Sequence, residues 1–171
     1  MAQATFQGPV RSLSGFISQG PNTVVASAAT TAATVANNSG KITNVIATSA
    51  ITLPAVNASA NPVSSGPGQD PNTLNNLGAV YTFFLPATAT AVTITTASGD
   101  FLLGQVIIGP SAGGATSMFV ANGTSTTTVT LNGTTTGGIK GSYVTVVAVA
   151  TNTYMVMGNL IGSGTLATPF S

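Results

Sequence analysis

The chain has 171 residues, enough for one domain with its own apolar core, yet it carries only three basic and two acidic side chains. Ordinary domains are roughly one-quarter charged; the five groups here, Arg11, Lys41, Asp70, Asp100 and Lys140, cannot form the basic stripe that nucleic acid requires, and they disfavour membrane surfaces and acidic partners. Histidine, cysteine and tryptophan are absent, which excludes disulfides, thiolate nucleophiles and His/Cys zinc sets.

Mean hydropathy is high at +0.46, and the polar residues are mainly Thr, Ser and Asn rather than charged groups. Partners can cover such a surface while desolvating few charges, so the composition predicts an assembly component.

Residues 1–40 are poor in large apolar groups and rich in Ala, Ser, Thr, Gln and Asn. Met1–Gly20 lacks a basic region followed by a continuous apolar core, so it does not read as a signal peptide. Val24–Asn37 combines Ala with χ1-stiff Val and Thr; it reads as an arm or a weak edge strand, with a short helix as the alternative. Residues 1–40 are therefore expected to form an N-terminal arm that a neighbouring subunit orders.

Lys41–Pro54 is dominated by Thr, Val and Ile between Gly40 and a proline, which marks strand structure. Residues 57–76, with prolines at 62, 67 and 71, read as a long surface loop, with a linker as the alternative. Ala79–Leu85 is a strand stopped by Pro86, and Ala91–Ala97 alternates Val92 and Ile94 against Thr93 and Thr95. Asp100–Gly109 is strongly apolar, and Gly104 inside it predicts a bulge or a crowded backbone approach.

Met118–Ala121 and Thr126–Leu131 flank the turn pair Asn122-Gly123, and further turns are expected at Asn132-Gly133 and Gly137-Gly138. Ser142–Ala150, dominated by Val and Ala, reads as a central strand covered on both faces. Asn152 marks a tight turn into Tyr154–Met157, and Leu160–Ser171 reads as a last edge strand or a peripheral extension. Seven or eight short strands at this spacing predict an all-β fold: an antiparallel β-sandwich, jelly-roll-like, or a small β-barrel, over residues 41–171.

Catalysis has little to work with. Asp70 reads as a solvated turn carboxylate, Asp100 as a hydrogen-bonding residue at a strand start, and Lys41 and Lys140 as solvated strand ends. Nothing pairs the two aspartates as glycosidase carboxylates, and the glycines lack the Gly-Lys-Ser/Thr of a phosphate loop. Asn57, Asn122 and Asn132 match the glycosylation acceptor pattern, as a chain rich in Asn and Thr does by chance. Tyr81, Phe83, Phe84, Phe101, Phe119, Tyr143 and Tyr154 lie in or beside strands and are expected mostly in the core. No catalytic, cofactor-binding or metal-binding residue is expected, and the chain does not read as an enzyme.

The run Gly78-Ala-Val-Tyr-Thr-Phe83, then Val92-Thr-Ile-Thr95, Gly99-Asp100, Gly138-Ile-Lys-Gly-Ser-Tyr-Val144 and Tyr154-Met-Val-Met-Gly158 resembles small virion structural proteins of tailed bacteriophages. Proteins of this kind are head decoration (cement) or other capsid-associated components. The resemblance covers about half the chain. It implies a protein on the outer surface of the virion that bridges major capsid protein subunits through its loops and arm, self-associated as a dimer or trimer. It transfers no catalytic residue. Rival readings are a tail or fibre component that binds a host surface or carbohydrate, and a Thr-rich cell-surface binder suggested by Thr93, Thr95 and Thr124–Thr130.

Overall fold

A computed structural model describes residues 24–59 and 75–171. Residues 1–23 of the expected arm and 60–74 of the expected loop, with Arg11 and Asp70, lie outside that description. The described chain is all-β apart from one helical turn. Its strands run β1 (Val24–Ala26), β2 (Thr30–Ala32), β3 (Lys41–Asn44), β4 (Thr48–Thr52), β5 (Val80–Phe84), β6 (Ala91–Thr95), β7 (Phe101–Pro110), β8 (Ser117–Asn122), β9 (Thr128–Leu131), β10 (Tyr143–Ala150) and β11 (Thr153–Gly162). The helical turn α1 (Val35–Asn38) follows β2, with Thr34 accepting the Asn37 N–H as its N-cap.

Two sheets form, a seven-stranded one in the order β1-β3-β5-β10-β11-β7-β8 and a four-stranded one in the order β2-β4-β6-β9. Both are mixed rather than antiparallel, which departs from the sequence expectation, and the reason lies in the first half of the chain. Three successive segments each lay one strand in the larger sheet, turn through a short corner, and lay the next strand in the smaller one. The resulting arches stack in register: Val24, Ile42 and Thr82 align in one sheet, and Thr31, Ile51 and Ile94 align in the other. Since every segment crosses in the same sense, β1, β3 and β5 are mutually parallel, as are β2, β4 and β6.

The corners stack too. Ser27, Val45 and Leu85 occupy equivalent buried positions, and the first two donate their backbone N–H to Asn44 and Phe84 of the next strand (2.9 and 2.8 Å). In the outermost arch the corner is a serine, whose hydroxyl accepts the Ile46 N–H at 3.0 Å.

The second half supplies the antiparallel pairs. β10 and β11 form a hairpin through Asn152, at φ 56°, which is the tight turn its sequence predicts. β7 lies parallel to β11 over its full length, and Gly104 opposes Val156. A Cβ at Gly104 would overlap the Val156 carbonyl oxygen, so this is the crowded approach expected there.

The Asn122-Gly123 turn also forms, but its flanking strands do not pair: β8 joins β7 and β9 joins β6, in different sheets. The Asn122 carboxamide oxygen accepts the N–H groups of Thr124, Ser125 and Thr126, turning the chain from one sheet to the other instead of back on itself. Finally, residues 169–171 run along the free side of β9, where Phe170 bridges Val129.

Inward residues of both sheets belong to a single apolar cluster, including Ile51, Phe83, Ile94, Val106, Leu131, Val146 and Tyr154, each with almost no exposure. Burial of this cluster, at about 25 cal/mol per Å2 of apolar surface, is the main stabilising contribution.

Candidate functional site

The groups that sequence singles out for chemistry are dispersed or structurally committed. Asp100, at 3% exposure, accepts the Val56 N–H through Oδ2 (2.8 Å), while its carbonyl accepts the Thr96 hydroxyl (2.7 Å). It ties the segment after β4 to the start of β7, the strand-start role expected of it. Lys41 extends toward the Ala36 carbonyl of α1 at 3.5 Å, and the Lys140 backbone N–H donates to Thr88 Oγ1. Asn122 and Asn132, two of the glycosylation-pattern residues, each use the side-chain oxygen to organise a turn.

The distinctive feature is the outward side of the seven-stranded sheet. Strand geometry puts alternate residues on opposite faces. In β10 the inward residues Val144, Val146 and Ala148 are fully buried, leaving Tyr143, Thr145, Val147 and Val149 to point away from the core. Among the described residues, and contrary to the sequence expectation, β10 is thus covered on one face only. Its apolar run continues on the bare face because its neighbours match it.

The pairing registers align two complete outward rows across all seven strands: Val24, Ile42, Thr82, Thr145, Met157, Gln105 and Val120, and beside it Ala26, Asn44, Phe84, Tyr143, Asn159, Ile107 and Met118. A third row, on the other side, carries Val80, Val147, Met155, Leu103 and Asn122. None of these residues is charged. Met118 and Val120 are 58% and 62% exposed, and Val24, Ile42, Leu103 and Met157 are each more than two-fifths exposed. Exposed apolar residues scattered singly are normal, but an aligned array of them across a whole sheet is not.

Tyr143, on the central strand of this sheet, lines a groove on each side. Its hydroxyl accepts a hydrogen bond from Asn159 Nδ2 at 2.8 Å, which leans the ring toward β11. On one side lies a groove of about 440 Å3 lined by Val24, Ile42, Asn44, Thr82 and Phe84. On the other lies one of about 240 Å3 lined by Gln105, Ile107, Met157 and Asn159. Thr82 and Thr145 satisfy each other across the sheet (3.2 Å).

The outward side of the four-stranded sheet has a different chemistry. Its registers bring Thr30, Ala50, Thr93 and Thr130 into one row and Ala32, Thr52, Thr95 and Thr128 into the next. These are small groups, mostly hydroxyls that hydrogen-bond to water, and such a face suits solvent as it stands. The two outward faces therefore polarise the molecule into a hydroxylic side and an apolar side.

Sequence reasoning recognised the apolar runs of β7 and β10 and expected β10 to be covered on both faces. It also assigned most aromatics to the core. Tyr81, Phe83 and Tyr154 are fully buried there, whereas Tyr143 is on the bare face. The available signal was the predominance of Val and Ala in β10 together with the absence of any charge between Asp100 and Lys140 and again after Lys140. No protein-family model, no curated protein and no solved structure matches this chain.

Proposed function

We propose that the protein is a non-catalytic structural subunit, two sheets packed as a sandwich, that works as part of a larger protein assembly. The setting that its sequence resemblance implies is the outer surface of a tailed-bacteriophage capsid, where it bridges and stabilises major capsid protein subunits as a decoration protein. The observation that carries the reading is the uncharged, apolar outward face of the seven-stranded sheet. Leaving such a face in water is costly, whereas covering it with a partner desolvates no ionised group. Its free energy of association is then apolar burial and neutral hydrogen bonding, with little dependence on salt.

Purified particles provide the test. The protein is expected at a fixed stoichiometry to the major capsid protein, as density on the shell's exterior, and to stay attached through molar salt. Its absence from purified virions would exclude the capsid reading.

The Thr rows of the four-stranded sheet favour a second reading: a tail, fibre or cell-surface component whose hydroxyl face meets a host surface or carbohydrate. Glycan-array binding that is lost in Thr93→Val would support this alternative, and an array without signal would count against it.

A further inference from the structure

We infer that the apolar face of the seven-stranded sheet is closed by the same face of a second copy of this chain, in a two-fold symmetric dimer. The inference rests on the assembly reading above and names the partner for that surface.

Charge is the first argument. A two-fold contact brings a surface patch against itself, so each ionised group near the axis meets its own like-charged image. An interface with an unlike partner is free to use charge complementarity, and commonly does. The outward rows hold no ionised group at all. Their polar members include Asn44, Thr82, Gln105, Thr145 and Asn159, which both donate and accept, so each can pair with a copy of itself. Lipid is a poorer occupant, because the rows offer no basic residue to headgroups.

Shape is the second argument. Tyr143 lines both grooves and is the wall they share. A half-turn about an axis beside it would lay the Tyr143 of each copy over a groove of the other. Buried aromatic anchors in pockets of this kind dominate interface energies. Size is the third. Between backbone centres, seven strands about 4.8 Å apart span about 29 Å and three rows about 6.8 Å apart span about 14 Å, and the side chains extend the accessible area beyond that on every side. The result is on the scale of the ~800 Å2 per partner of a stable interface. Two copies of one twisted sheet also stack at the usual ~10 Å spacing and ~30° angle without distortion.

Such a dimer presents every remaining edge twice, including the arch of β1 and β2, outermost among the described residues, and so provides a physical basis for bridging two neighbours in a shell.

Sedimentation velocity on the full chain between about 1 and 100 µM tests the inference; interfaces of this class give dissociation constants in or below that range. A dimer is expected, with Ile42→Lys and Met157→Lys each weakening it by about 100-fold or more and Thr52→Lys on the hydroxyl face leaving it unchanged. Circular dichroism checks that the variants fold. The cysteine-free background gives a second measurement that does not depend on them. Met157→Cys is expected to yield covalent dimers with a short bis-maleimide, and Thr52→Cys is not. A wild-type chain that stays monomeric over the whole range, or a dimer indifferent to both lysine variants, overturns the inference. Its failure is separable from that of the assembly reading: a monomer that still decorates particles removes the dimer alone, and a dimer never found on particles removes the capsid assignment alone.

Discussion

Tyr81 and Tyr154 pack edge to face at the centre of the core, ring centroids 6.3 Å apart and planes at 70°, yet only one of the two hydroxyls has a partner. Tyr154 donates to the Pro54 carbonyl at 2.7 Å; the Tyr81 hydroxyl, fully buried, has none among the described residues. A buried hydroxyl without a partner forfeits its hydration and gains nothing in return. Tyr81→Phe removes that penalty and keeps the ring contact, so it is expected to stabilise the fold by about 1 kcal/mol in urea denaturation. Tyr154→Phe leaves the Pro54 carbonyl short of a donor and is expected to destabilise by a similar amount, about 1 kcal/mol. Equal effects of the same sign would contradict this asymmetry.

The same pair sets an alkaline limit. Burial pushes the Tyr81 hydroxyl from 10.0 up to about 12, and Tyr154 is raised as well, by burial first and then by the neighbouring Tyr81 and Asp100 charges. In the unfolded chain both release their protons near pH 10. Between pH 10 and 12 the unfolded state therefore binds fewer protons than the folded one, and stability falls as pH rises. The loss is roughly 1.4 kcal/mol per pH unit for each tyrosine. Tyrosinate absorbance of Tyr81 and Tyr154 should rise together with the loss of far-ultraviolet circular dichroism, not ahead of it.

Gly104 is required by the parallel pairing of β7 with β11. It sits at φ 138° against the Val156 backbone, with no space for a Cβ. Gly104→Ala combines a backbone clash with an unfavourable conformation and is expected to cost about 3 kcal/mol or more. Gly40 also has positive φ, at 71°, but open space around it. Gly40→Ala is expected to cost only about 1 kcal/mol. Thermal denaturation of the two variants side by side measures the difference.

Individual strands were legible because alternation, as in Val92 to Thr95, and punctuation, as at Pro86 and Asn152, are local signals. The arch stacking was not. The first two corners, at Ser27 and Val45, hold neither glycine nor proline, and Pro86 after Leu85 in the third marks the end of a strand without announcing a change of sheet. The return paths between arches, residues 33–40 and 53–79, differ greatly in length, so no sequence period exposes the repeat. The Asn122-Gly123 pair signalled its turn correctly, but a turn signal does not reveal whether the strands beside it pair with each other. The apolar face was half legible: the run in β10 was plain, whereas the bareness of one side is a property of the whole sheet.

Asp100 gives the last prediction, because structural and catalytic roles for it diverge in one experiment. Its buried carboxylate receives the Val56 N–H and its carbonyl the Thr96 hydroxyl, and its backbone N–H reaches the Ala97 carbonyl. Asp100→Ala strands the Val56 N–H beside the core and is expected to destabilise by about 2 kcal/mol. Asp100→Asn retains a side-chain oxygen in the same place, so it is expected to recover much of that loss. A structural aspartate predicts this graded stability series and no hydrolytic activity in wild type or variants across esterase, glycosidase and peptidase substrates. Activity present in wild type and abolished in Asp100→Asn, with the fold intact, would instead mark the carboxylate as chemically employed and would remove the case for a purely structural protein.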